Sequence, residues 1–190
     1  AIPERAVDHV PVALPLPTAR YRGNAHGYNA FFTESFIDEC AHAAGADPLA
    51  YRLGLLRDRP QHRRVLERAA SEAGWGQRLP DAPDGARVAR GIALHQSFGS
   101  VVAQVAEVSL GADGAIRVHR IVCAIDCGLP VHPLLIEQQA EGSVALALSA
   151  ALYGGIDIEG GRIRQSFGIE VGEVKRVQEK FRGPMTRKRT

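Results

Sequence analysis

An α+β fold is predicted for this chain: a helical N-terminal part followed by an antiparallel β-meander with a packed helix. Three observations predict it. Apolar residues recur at helical spacing from Asn29 to Gly76, punctuated by cap and stop signals. Three β-type runs then lie between Arg90 and Asp126, broken at Phe98-Gly99-Ser100 and at Gly111-Ala112-Asp113-Gly114. A long apolar run at helical spacing, Leu134 to Leu152, closes the meander.

Taken in order, residues 1–17 are proline-rich and read as an extended connector. The glycine-containing loop Tyr21-Arg22-Gly23-Asn24-Ala25-His26-Gly27-Tyr28 precedes a first helix, for which Asn29 is the expected cap. Phe31, Phe32, Phe36 and Ile37 are expected to form its buried face, with Glu34, Asp38 and Glu39 turned outward and Gly45 as its stop. Asp47-Pro48 supplies a cap and a first-turn proline for a second helix, to about Arg57. Pro60 opens a third, with Val65, Leu66 and Ala69 inward and Gly74 closing it. Residues 77–89 form a polar loop, expected to separate helical and sheet subdomains.

In the meander, Ile92, Leu94 and Gln96 alternate with Ala93, His95 and Ser97; Val101–Leu110 is dense in valine; Ile116–Ile125 stops at Asp126-Cys127-Gly128-Leu129-Pro130. The Asp113-Gly114 pair is expected to supply the positive φ of a tight reversal. Cys123 and Cys127 are expected to be buried packing residues, Asp126 to brace the loop, and Pro133 to open the long helix, with His132 as a further candidate cap. Residues 153–167 read as a hairpin around Glu159-Gly160-Gly161, and residues 168–190 as a basic tail.

Composition narrows the function classes. A hydrophobic fraction of 45%, a charged fraction of 23% and a net charge of +2 are those of an ordinary globular domain and do not point to a polyanionic partner. Three cysteines do not make a disulfide framework, and His42 and His62 have no partners at metal-ligand spacing. No apolar run reaches a membrane-spanning length, and the N-terminus has no signal-peptide pattern, so the compartment stays open. The absence of an initiator methionine is read as a start inside a longer parent or as processing.

Several strings together carry a resemblance. RGIALHQSFGSVVAQVAEVSL, VCAIDCG and EQQAEGSVALALSAALYG, preceded by YRGNAHGYNAFFTESFIDECAHAAGADPLAYRLGLL, are similar in one collinear order to the molybdopterin-binding large subunit of the xanthine dehydrogenase and aldehyde oxidase family, nearest its isoquinoline 1-oxidoreductase branch. The resemblance runs from about Leu16 to Phe167, so residues 18–167 are expected to be a partial molybdopterin-binding domain with helices over 29–76 and meander plus helix over 90–152. It implies oxidative hydroxylation of an N-heteroaromatic or aldehyde substrate, a molybdenum–pterin cofactor (the cytosine dinucleotide form being one option), an iron–sulfur small subunit and the remainder of the large subunit as partners. No nucleic acid and no membrane span are expected.

The same resemblance implies the site. Arg22 matches the arginine of the family's cofactor loop, although Asn24 stands where the xanthine-oxidising branch has an aromatic residue. Ala103 and Gln104 match small strand residues that bring backbone amides against the cofactor, and Gln139 matches a glutamine that hydrogen-bonds the pterin. An amide suits that edge because it offers donor and acceptor together. No catalytic residue is assigned. The family's general-base glutamate lies in a glycine- and proline-flanked segment, and Glu173 in Val171-Gly172-Glu173-Val174 lacks those neighbours. The expectation is therefore a hydroxylase fragment inactive alone, with a non-catalytic remnant or interaction module as the alternative.

Overall fold

The computed structural model of the chain describes residues 4, 6, 8–13 and 22–164. Its elements are α1 (His26–Ala43), α2 (Pro48–Leu55), α3 (Pro60–Ala73), β1 (Val88–Ser97), β2 (Ser100–Leu110), β3 (Ile116–Asp126), α4 (Pro133–Tyr153), β4 (Ile158–Glu159) and β5 (Arg162–Ile163). The α+β class is met. The chain divides into two compact units, the first holding α1–α3 and β1–β3, the second α4, β4 and β5. The basic tail and Glu173 lie outside the described residues.

Local chemistry accounts for most element ends. Asp47 Oδ1 accepts from Ala50 N–H at 2.9 Å, and Pro48 occupies the first turn of α2. Asp47 Oδ2 accepts from Trp75 Nε1 at 3.0 Å, tying the start of α2 to the end of α3. Gly74 ends α3 at φ 64°, a left-handed position that glycine adopts without strain. The start of α1 departs from expectation. Arg22–Ala25 form a turn closed by His26 N–H to Gly23 O at 3.0 Å, so the helix begins at His26. Asn29 then lies inside the first turn, not at the cap, and no side chain caps α1.

The sheet order is β1-β2-β3, antiparallel throughout. Phe98 (φ 48°) and Gly99 (φ 87°) make the two-residue turn between β1 and β2, the left-handed pair that matches strand twist. In the next turn only Gly114, at φ 76°, takes the positive φ. A bulge at Glu107/Val108 shifts the β2–β3 register.

Leu66, Ala69 and Ala73 of α3 pack on Ile92, Val101, Ala103 and Val105 of the sheet. The helix covering the meander within this unit is therefore α3, and residues 77–89 join two layers of one core. Each fully buried valine or leucine contributes about 1.5–3 kcal/mol. Arg90 seals the junction: Nη1 donates to Gly74 O and Gln77 O, both at 2.8 Å, while Nε donates to Glu107 Oε1 at 3.0 Å. A cation at these carbonyls also complements the negative end of α3.

In the second unit His132 Nδ1 accepts from Leu135 N–H at 3.2 Å and Pro133 opens α4. Ala145 and Ser149 are its buried residues, and Ser149 Oγ donates to Ala145 O at 2.8 Å. Ile158 pairs with Ile163 across the expected hairpin, whose tip is Gly160-Gly161.

The orientation of α1 overturns the expectation for its phenylalanines and for Glu34 and Asp38, while Glu39 faces outward and Ile37 is partly buried as expected. Tyr28, Phe31, Phe32 and Phe36 are 57%, 67%, 60% and 64% exposed. Glu34 and Asp38 point inward instead, to Arg52 of α2, which is only 2% exposed. Arg52 donates from Nε to Glu34 Oε2 at 2.9 Å, from Nη1 to Asp38 Oδ1 at 2.6 Å and Pro48 O at 3.1 Å, and from Nη2 to Glu34 O at 3.0 Å. Glu34 Oε2 also accepts from Leu94 N–H of the edge strand β1 at 2.8 Å. The reason for the reversal is this guanidinium: a buried cation demands carboxylates, and α1 supplies them.

Candidate functional site

The alternation of β2 sorts its residues between two faces. Val101, Ala103 and Val105 face α3; Val102, Gln104 and Ala106 face the other way. Register completes that second face in rows: His95, Val102 and Ile125; then Ala93, Gln104 and Cys123; then Gly91, Ala106 and Ile121. Gly91, Ala93, Ala106 and Cys123 among them are small, so the sheet surface around Gln104 is low and partly open to a flat ligand.

Gln104 stands near the centre of this face. Its Nε2 lies 3.7 Å from Cys123 Sγ, a weak contact that leaves most of the amide's hydrogen-bonding capacity for a ligand. Burial pushes the Cys123 thiol up from its usual range, with the Gln104 hydrogen bond pulling the other way. Such a thiol is a packing residue and not an activated nucleophile. Cys127 is exposed, contrary to expectation, because β3 ends at Asp126 and the chain turns out of the sheet. Asp126 Oδ1 braces that turn by accepting from Gly128 N–H at 3.1 Å. This bond, with a contribution from Gln61, holds the Asp126 carboxyl below the usual range.

At the hairpin end of the face, His95 Nε2 and His26 Nδ1 are 3.0 Å apart, and the His26 and Phe98 rings are 5.0 Å apart. One imidazole donates and the other accepts, and the tautomers decide which does which. Burial, followed by repulsion from His26, holds His95 below its ordinary pKa, while Glu34 opposes that shift. His26 directly follows the Arg22–Ala25 turn, so this contact anchors the exposed Arg22 loop to the hairpin end of the sheet.

The four candidate residues are thus distributed. Arg22 is an exposed turn residue of the first unit, and Gln104 lies on the accessible sheet face. Ala103 is fully buried on the opposite face, between Leu94 and Ala124. Its backbone groups point along the sheet toward neighbouring strands, so its local effect is to keep the strand closely packed beneath Gln104. Gln139 is exposed on α4 of the second unit. Sequence reasoning missed His26, His95 and the Arg52 cluster. His26 and His95 are 69 residues apart and no local spacing pairs them. Among the described residues no group of three or more His, Cys, Asp or Glu side chains is placed to hold a metal ion.

Known proteins share much of this chain. Residues 69–167 match the family model of a molybdopterin cofactor-binding domain. The chain is 28% identical over 166 residues to the beta subunit of isoquinoline 1-oxidoreductase from Brevundimonas diminuta, covering 87% of this chain and 21% of that one. It is 31% identical over 177 residues to the B subunit of nicotinate dehydrogenase from Pseudomonas putida, covering 84% of this chain and 15% of that one. The matched segment is therefore about a fifth or less of each relative's length.

Proposed function

Because the chain belongs to the molybdopterin cofactor-binding domain family, we propose that it forms part of the cofactor cradle of a molybdenum hydroxylase subunit, of the xanthine dehydrogenase and aldehyde oxidase type. The observation that carries this reading is the family match itself, which takes in the end of α3, the entire meander and α4. Taken one unit at a time, the donors suit the group. A guanidinium at Arg22 suits phosphate or another anion, and the amides of Gln104 and Gln139 suit a pterin edge that presents donors and acceptors together. When bound, the molybdenum cofactor supplies the centre at which substrate is oxidised by two electrons.

The residues of this chain hold and orient. Gln104 presents its amide from a rigid central strand, which fixes its direction more firmly than a loop does. Ala103 keeps that strand packed close to β1 and β3. Arg22 is carried on a turn fixed by the left-handed Gly23 (φ 78°) and by the His26–His95 contact. Gln139 lies on the early turns of α4, where an exposed amide is free to bind. Among the described residues the most buried carboxylates are engaged: Glu34 by Arg52 and Leu94, Glu107 by Arg90 at 3.0 Å and Arg120 at 3.6 Å. The role proposed for this chain is to hold and orient, with the general base supplied by another part of the subunit.

The substrates proposed for the assembled enzyme are N-heteroaromatic rings, since the two relatives are named for isoquinoline and nicotinate; aldehydes are the second class. An iron–sulfur small subunit is the proposed electron acceptor. The test is molybdenum content by elemental analysis, after expression in a host that makes the cofactor. The isolated chain is expected to be nearly metal-free. Grafted into the Brevundimonas diminuta relative in place of its matching stretch, it is expected to support near-stoichiometric molybdenum, and Gln104→Leu to lower that content without moving the melting temperature. A folded, metal-free graft overturns the reading. Mass analysis of extracted cofactor then distinguishes the cytosine dinucleotide from the plain pterin.

A further inference from the structure

The helix α1 is inside out. Its carboxylates, Glu34 and Asp38, turn to the interior, gripping Arg52 and the edge of β1. Its aromatic side chains, Tyr28, Phe31, Phe32 and Phe36, face away from that interior and are more than half exposed. The rings also contact one another: Tyr28 and Phe32 centroids are 6.2 Å apart, and Phe31 and Phe32 5.8 Å. At roughly 150–250 Å² per ring, the exposed part sums to roughly 500 Å², near the upper end of the largest apolar patch on a typical monomer. The orientation is not adjustable, because rotating the helix to bury the rings would strip Arg52 of both carboxylates.

A face of four exposed aromatic rings, bordered by the exposed Glu39 one turn beyond Phe36, has the composition of an interface core with a polar rim. Its cover is indicated by length. The relatives contain this segment within much longer chains, since the match is 21% of one and 15% of the other. We propose that the aromatic face of α1 is a docking surface for the remaining part of the molybdopterin-binding subunit, so that α1 is an interior helix of the assembled protein. The proposal rests on the cofactor-subunit reading above. It goes further by naming which surface of this chain meets the rest of the subunit.

The test is co-expression of the tagged chain with the Brevundimonas diminuta relative from which the matching stretch has been removed. The wild-type chain is expected to co-purify with that polypeptide. The variant Phe31→Gln/Phe32→Gln/Phe36→Gln is expected to lose at least about tenfold in recovered complex, while circular dichroism and Trp75 emission stay unchanged because the replaced rings are exposed. A control, Leu110→Gln/Ile116→Gln, removes exposed apolar groups at the opposite end of the meander and is expected to keep full recovery. No complex with the wild-type chain, unchanged recovery with the triple variant, or equal loss in the control overturns the proposal. So does a stripe-dependent dimer of the chain alone in light scattering, which would assign the face to a second copy. Molybdenum is measured separately on the recovered complex: a complex without metal counts against the cofactor reading alone, and metal in a complex indifferent to the triple variant counts against this one alone.

Discussion

Replacing Arg52 by methionine should destabilise the first unit more than any other single change to a polar residue. The substitution removes four hydrogen bonds at 2.6–3.1 Å and leaves Glu34 with a side chain only 12% exposed and no cation. Asp38 is 46% exposed, so water screens its share, and that pair alone is worth at most about 1 kcal/mol. The larger cost is the abandoned Glu34 charge. Breaking a buried pair by removing one partner costs about 3–5 kcal/mol. For a unit of this size about 4 kcal/mol corresponds to a drop of roughly 20 °C in melting temperature. Trp75 is the only tryptophan and packs against the core of the same unit, so its emission during urea or thermal unfolding reports this unit specifically. The double variant Arg52→Met/Glu34→Gln removes both charges and keeps an oxygen for Leu94 N–H. It should recover about 1 kcal/mol or more relative to Arg52→Met. A single-variant loss below about 1 kcal/mol, or a double variant no better than the single, would refute the buried-charge argument.

Further expectations concern the core, the histidine pair, a cap and the thiols. Leu66→Ala, at a fully buried position under the sheet, should cost about 2–5 kcal/mol in the same unfolding assay. His95 is held below the ordinary imidazole value, so the unfolded chain takes up a proton first as pH falls. Stability contributed by this group is therefore present above that ordinary value and declines below it, and His95→Gln should flatten the stability profile there. Gly74→Ala places a methyl group at φ 64° and 2.8 Å from Gln77 Oε1; the left-handed backbone alone should cost about 1–2 kcal/mol, read as a shift in urea midpoint. Alkylation followed by peptide mapping should label Cys127 well before Cys123, whose thiol is half-buried and pushed up by that burial.

What could be read in the sequence was what neighbouring residues decide. Asp47-Pro48, Gly74, the Phe98-Gly99 turn and Pro133 each act within a few residues, and each falls where local chemistry puts it. The direction of α1 was illegible because its cause is Arg52, 18 residues from Glu34, and periodicity alone assigns aromatic residues to the core. Cys127 was misplaced for a related reason: strand parity held through Cys123, but β3 stops one residue before Cys127. Of the candidate site, the residues Arg22, Ala103, Gln104 and Gln139 came from resemblance. What the structure adds is that Gln104 and Ala103 occupy opposite faces, and that His26 and His95 anchor the Arg22 turn.

The meander's connections also imply an order of assembly. Its strands are consecutive, joined by two residues and by five, so each pairing closes only a small loop as the chain grows. Such hairpins form within microseconds once their residues are available. The bonds that fasten α1 to β1 span 60 residues at Glu34–Leu94 and 69 at His26–His95, and closing those loops costs more entropy. The sheet should therefore exist before α1 docks on its edge. Because α1 is synthesised before the strands it docks on, its aromatic side stays uncovered throughout the making of the sheet, and whatever covers it does so only after that.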